Sequence, residues 1–147
     1  MQYTLHIDIN LPRAEVIALF KNPDNMAKWQ QGFISMRHIY GEAGQPGAKT
    51  RLYYKIGNRE INMLETITAV NFPENFSAIY EADNVWNEAQ NSFIALSDSS
   101  TRWKVQHTFK FSSWVLRIVG YLIPSMFKKQ SYKYMVDFKA FAEQESK

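Results

Sequence analysis

Polar and apolar residues alternate almost from the first residue. In residues 3–10, Leu5, Ile7 and Ile9 fall on one side and Thr4, His6, Asp8 and Asn10 on the other, the period-two pattern of a half-buried strand. Leu11-Pro12 ends it, because proline has no N–H to give a ladder. Residues 13–21 switch to helical spacing, with Val16, Leu19 and Phe20 on one face. Asn22-Pro23-Asp24 stops that helix, and Asp24 or Asn25 is placed to cap a second short helix ending near Trp29. Strand patterns then follow at 34–40, 50–56, 60–69, 76–82, 87–96 and 102–111. A glycine-rich turn at 41–47, the hairpin pair Gly57-Asn58, the turn Phe72-Pro73-Glu74-Asn75 and the run Ser97-Asp98-Ser99-Ser100 separate several of them. These spacings predict an antiparallel meander with two short helices inserted after its first strand.

Residues 113–143 carry one long helical pattern, broken once at Pro124. The part at 114–123 is apolar nearly all round, Arg117 and Gly120 excepted, which predicts a helix that is buried or touches something apolar. Beyond Pro124 the pattern is amphipathic, with Phe127, Tyr134, Phe138 and Phe141 against Lys128, Lys129, Lys133 and Lys139. A long helix beside a run of strands needs a sheet to lie on.

Strand parity predicts which side chains face the space between sheet and helix. The inward sets begin with Ile34, Met36, His38 and Tyr40, then Leu52, Tyr54 and Ile56, then Ile61, Met63, Glu65 and Ile67. They continue with Phe76, Ala78, Tyr80 and Ala82, with Asn87, Ala89, Asn91 and Phe93, and with Trp103, Val105, His107, Phe109 and Phe111. Such a wall is mostly aromatic and aliphatic, as ligand pockets are. The residues expected to line a pocket are Trp29, Met36, Tyr40, Tyr54, Met63, Tyr80, Asn91, Phe93, Trp103, His107, Trp114 and Phe127. Glu65 with His38 or His107 is the candidate acid–base pair, because burial raises a carboxyl pKa and a partner adjusts it. The competing reading is that these groups satisfy one another structurally, or that a bulge turns one outward.

Composition narrows the chemistry. The length of 147 residues suits one domain spanning 1–147. Cysteine is absent, which excludes disulfides and thiolate catalysis and is compatible with the cytoplasm, the expected location. The N-terminus lacks the basic-then-apolar order of a signal peptide. The apolar-rich stretch 114–127 falls short of the roughly 20 residues that span a bilayer. Three dispersed histidines give no metal-ligand spacing, and no phosphate-cradling loop or nucleophile elbow occurs, so neither metal nor cofactor is expected. The net charge of +3 hides an asymmetry, with 8 Lys/Arg and 11 Asp/Glu in residues 1–100 against 9 and 3 in residues 101–147. A basic half can meet an anionic surface, or can be a solvated helix face leaning on an acidic sheet.

The local sequences agree with a known order of elements. Residues 7–16, Ile-Asp-Ile-Asn-Leu-Pro-Arg-Ala-Glu-Val, resemble a family's strand-then-proline-then-Glu-Val opening. Residues 22–29, Asn-Pro-Asp-Asn-Met-Ala-Lys-Trp, resemble its helix–Pro–helix–Trp segment, and Gly44 to Gly47 fit its glycine-rich turn. With the closing helix at 114–143, the chain resembles the polyketide cyclase/dehydrase branch of the START-like (SRPBCC) superfamily along nearly its whole length. The resemblance implies an α+β helix-grip fold, as in Bet v 1 and START domains: a curved seven-stranded antiparallel sheet wrapped around a long C-terminal helix, with two short helices after strand 1. It also implies a small hydrophobic ligand, such as a lipid, isoprenoid or polyketide-like compound, held in a cavity between sheet and helix. It carries over no catalytic residue, since the superfamily shares none. Beside ligand binding stand two alternatives, a cofactor-independent cyclase, dehydratase or hydrolase using inward His, Glu and Tyr, and a peripheral membrane or protein contact through the C-terminal helix. No nucleic-acid partner is expected.

Overall fold

The computed structural model describes residues 1–122 and 124–146. Seven strands, β1 (Gln2–Ile9), β2 (Phe33–Tyr40), β3 (Lys49–Ile56), β4 (Arg59–Asn71), β5 (Asn75–Ala82), β6 (Val85–Ser97) and β7 (Ser100–Phe111), form one sheet in the order β1-β7-β6-β5-β4-β3-β2. Every neighbouring pair is antiparallel. Two helices, α1 (Arg13–Lys21) and α2 (Met26–Trp29), follow β1, with a 3-10 turn at Pro23–Asn25 between them. The cap of that turn is Asn22, whose side chain accepts from the Asp24 N–H at 3.0 Å, rather than Asp24 or Asn25. Asn25 is instead buried, its amide donating to the Leu19 carbonyl at 3.1 Å.

The C-terminal pattern resolves into α3 (Trp114–Leu122) and α4 (Pro124–Glu145), so the break falls where proline starts a new helix. Ile123, the last residue of the predicted apolar segment, lies outside the described residues. Met135, Phe138 and Ala142 bury the inner face of α4, and Lys128, Lys129 and Lys133 face solvent. Of the two expectations for 114–123, burial or contact with something apolar, burial does not hold for its first turns, where Trp114, Val115 and Ile118 are exposed. Of the helix lysines, Lys139 leans on the sheet at Asp8, while the ion pairs of the helix lysines lie within the helix. Lys133 pairs with Asp137 and Lys139 with Glu143, both one turn along the same helix.

The core occupies one end of the sheet–helix space. Ile7, Ile9, Val16, Trp29, Phe93, Trp103, Val105 and Phe138 belong to a single cluster drawn from β1, α1, α2, β6, β7 and α4. Its centre is aromatic: Phe138 lies 5.0 Å from Trp29 and 5.2 Å from Trp103, ring centre to ring centre, and Phe20 meets Phe93 edge-on at 5.2 Å. Edge-to-face rings suit the aromatic quadrupole and fill space without voids. Leu52, Tyr54, Ile67 and Ala78 are also buried on the concave face of β3, β4 and β5, but they do not join this cluster. Helix α4 packs closest against β1 and α2, which leaves the concave face of β3–β5 further from it.

Candidate functional site

The concave face of β3 to β7 carries several buried ionisable side chains, and Tyr80 among them packs against the aromatic core. Register places Thr50, Glu65, Tyr80 and Asn87 in one row across β3, β4, β5 and β6. Directly opposed residues share a face, so all four project toward α4 with the buried Leu52 and Tyr54. Tyr80 stands directly opposite Glu65 across the β4–β5 ladder. Burial pushes the Glu65 carboxyl above its usual 4.5, and the neighbouring Tyr80 hydroxyl only partly offsets it. Tyr54 and Tyr80 are both pushed upward by burial, and each feels the Glu65 charge. Tyr54 also feels Tyr134 of α4, which brings the helix to the far side of the same space. The Tyr54 hydroxyl donates to Gln30 Oε1 at 2.6 Å, tying this wall to the residue that follows α2.

A second polar group stands on β7. His107 Nδ1 lies 3.3 Å from the Asn87 amide nitrogen, and its ring sits between Tyr3 at 5.4 Å and Phe109 at 5.8 Å. Burial drives its pKa down to about 4, so the imidazole is neutral at neutral pH. The same Asn87 amide also donates to the Thr108 carbonyl at 3.2 Å and the Glu88 carbonyl at 3.3 Å. Phe109 and Phe111 continue this strand to Phe127 of α4, at 5.5 and 5.3 Å between ring centres. Tyr3 closes the side, its hydroxyl within 2.6 Å of Ser131 Oγ and donating to the Phe127 carbonyl.

Glu65, Tyr80 and His107 are strongly desolvated, yet each keeps some solvent-accessible surface. A side chain in a packed core loses both; one on the wall of a recess is enclosed by protein and still reached by water. An open groove of about 830 Å³ between α2 and α4, with Lys28, Gln31, Lys133 and Gln144 on its walls, is a different place. It is polar and shallow and holds none of these perturbed groups.

The predicted lining residues divide three ways. Tyr54, Met63, Tyr80 and His107 lie on the concave side of β3, β4, β5 and β7, and Phe127 packs on Phe109 and Phe111. Trp29, Phe93 and Trp103 are locked in the aromatic core, and buried Asn91 spends its amide on the Phe76 carbonyl and its oxygen on Trp103 Nε1, at 3.2 and 2.9 Å. Met36, Tyr40 and Trp114 are on the surface. For β2 the reason is its place at the sheet edge, beyond the helix, with register shifts at Phe33/Ser35 and His38/Tyr40. The second shift pairs Tyr40 with Lys49, so Tyr40 leaves the concave face altogether. The first leaves Phe33, not Ile34, against Tyr54, with ring centres 5.7 Å apart. His38 is exposed and its Nε2 meets the Gly41 carbonyl, so it forms no pair with Glu65. Glu65 does not bond His107 either; Tyr80 and Asn87 take those places. Tyr3, Ser131 and Gln30 were missed. Extending the Leu5, Ile7, Ile9 alternation one step back finds Tyr3, but nothing local marks the other two.

The Trp29 indole N–H is buried with no hydrogen-bond partner among the described residues. The described residues hold no cluster of His, Asp or Glu that could bind a metal, and no helix among them is long and apolar enough to cross a membrane.

No family model matches the sequence, and no curated protein matches it. Solved structures do resemble the fold. The Zhui aromatase/cyclase from Streptomyces sp. R1128 superposes with a TM-score of 0.82 at 9% identity, covering 100% of this chain and 96% of its own. A START superfamily protein from Mycobacterium smegmatis superposes with a TM-score of 0.79 at 12% identity, covering 97% of both chains. Ara h 8.0201 follows at 0.78 and 13%, again covering 97% of both. The architecture is therefore the START-like helix-grip fold over essentially the whole chain.

Proposed function

We propose that this START-like helix-grip chain binds a small, largely apolar molecule in the recess between β3–β7 and α4. The observation that carries the proposal is the set of enclosed but water-reachable polar groups, Glu65 with Tyr80 and His107 with Asn87, set in a wall of Leu52, Met63, Ile67 and Phe109. Apolar surface supplies affinity, and the few polar groups fix orientation. The ligand would carry one polar atom for the His107 imidazole and another for the Glu65–Tyr80 pair. Lipids, isoprenoids and polyketide-like compounds meet that description, and an aromatase/cyclase among the structural neighbours supports the last. A cysteine-free chain suits a cytoplasmic location.

Mass spectrometry of solvent extracts from the purified protein, with thermal shifts across a lipid and polyketide panel, tests this. A bound compound should raise the melting temperature. Met63→Trp should fill the recess, keep the fold and abolish that shift. A ligand-free protein that no panel member stabilises, and that Met63→Trp unfolds by overpacking, would sink the proposal.

A second reading is favoured by one observation, the largely buried Glu65 carboxyl directly opposite Tyr80 on the concave face. A carboxyl that keeps its proton to higher pH is suited to general acid–base steps, such as enolisation or dehydration of a bound polyketide-like substrate. Glu65 would then act with Tyr80 instead of a histidine. Glu65→Gln should abolish turnover of such a substrate while leaving its binding within a few-fold; unchanged turnover would remove this reading.

A further inference from the structure

We propose that the α3–α4 corner docks on a lipid bilayer bearing anionic headgroups. The inference is independent of the recess and its ligand. Trp114 is 71% exposed, and Val115 and Ile118 beside it are each about half exposed. Positions 114, 115 and 118 lie on one side of a helix, so α3 presents a continuous apolar face rather than scattered side chains. At the start of α4, Met126 is 57% exposed and borders a groove of about 690 Å³ whose surface is almost wholly apolar, walled by Phe127, Tyr132, Val136 and the stems of Lys129 and Lys133.

The charge carried by β7, α3 and the start of α4 has one sign, although exposed Asp83 lies in the turn that bonds Ser112 at the start of α3. No Asp or Glu occurs between Asp98 and Asp137, and Asp137 is held by Lys133 at 2.7 Å. Arg117, Lys128 and Lys129 are exposed, and among the described residues none of them has an ion pair. Tryptophan and methionine at the surface with lysines whose stems lie along apolar ground is the arrangement of a helix seated at a membrane interface. Lysines and arginines there gain from the negative potential of anionic lipid.

A second copy of this chain fits less well, because a two-fold pairing would set Arg117, Lys128 and Lys129 against their own kind. Nucleic acid would meet the charge and leave Trp114, Ile118 and Met126 uncovered. The exposed apolar residues of β2, Ile34, Met36, Ile39 and Tyr40, make the other large patch, but they alternate with no comparable charge set and nothing indicates what would cover them.

The test is flotation and tryptophan fluorescence of the full chain with vesicles of phosphatidylcholine alone or with about one-third phosphatidylglycerol. Trp29 and Trp103 are buried and Trp86 is half-buried under Lys110, so the part of a blue shift that Trp114→Ala removes reports Trp114. The expected result is binding to the anionic vesicles in low salt, with a blue shift, and loss of both at high salt, where screening is strong. Lys128→Gln with Lys129→Gln should weaken binding roughly ten- to thirty-fold. Trp114→Ala should remove the blue shift and weaken binding, with unchanged circular dichroism because the ring is exposed. No binding to anionic vesicles in low salt overturns the proposal. So does binding that survives both sets of substitutions, or a concentration-dependent dimer without lipid that Trp114→Ala dissolves.

Discussion

His107 stores a pH dependence that its position dictates. An imidazole held near pKa 4 in the folded chain, against 6.5 when free, takes up a proton on unfolding at any pH between those values. Its contribution is therefore fully present above pH 6.5 and lost as pH falls toward 4. Between pH 7 and pH 5 it should cost the native state about 2 kcal/mol. Glu65 works in the opposite sense, because its folded pKa is raised: the folded chain holds that proton more tightly, and stability falls as pH rises above 4.5. Urea melts of wild type and His107→Gln at both pH values separate the two. The variant should lose the acid-side decline while keeping the Glu65 trend; parallel curves would mean that His107 is not desolvated.

Gly32 is where the helical insert re-enters the sheet, and only glycine fits. Its φ is +79°, and a Cβ there would come 2.5 Å from the Lys55 carbonyl oxygen, while its own carbonyl accepts from the Lys55 N–H at 2.8 Å. Gly44 shares the same φ but has open space around it. Gly32→Ala should therefore destabilise by more than about 2 kcal/mol, and Gly44→Ala by about 1 kcal/mol, in matched denaturant melts. Element identity was largely legible from the chain alone. The bounds of α1, the Gly57-Asn58 hairpin and the inward parity of β3 to β7 all follow from periodicity and turn chemistry, each residue answering to its near neighbours. Strand β2 was not, because a bulge is set by what the partner strand offers, and Ile34 and Ile39 look like ordinary strand residues. The pairing of Glu65 was equally hidden. Parity places a side chain on a face, but only register and twist decide that Tyr80 rather than a histidine lies beside it.

Across the whole molecule, the tightest packing belongs to the aromatic cluster, and the proposed recess lies beside it on the concave face. The aromatic cluster around Phe138, which has no exposed surface, holds β1, β6, β7, α1, α2 and α4 together. Phe138→Ala should cost about 3–5 kcal/mol, whereas Met63→Ala at the half-buried recess wall should cost less than about 2 kcal/mol, both by urea titration. Equal costs would mean that the recess wall is packed like the core. The grip itself joins distant parts of the chain: β1 pairs with β7, Lys139 donates to the Asp8 carbonyl, and Glu143 accepts from the Asn10 N–H at 2.9 Å. During vectorial synthesis β1 therefore leaves the ribosome about a hundred residues before β7, its sheet partner among the described residues, exists. Until β7 and then α4 emerge, β1 is an unclaimed edge with Leu5, Ile7 and Ile9 uncovered, a segment for nascent-chain chaperones to shield while the ribosome completes the chain.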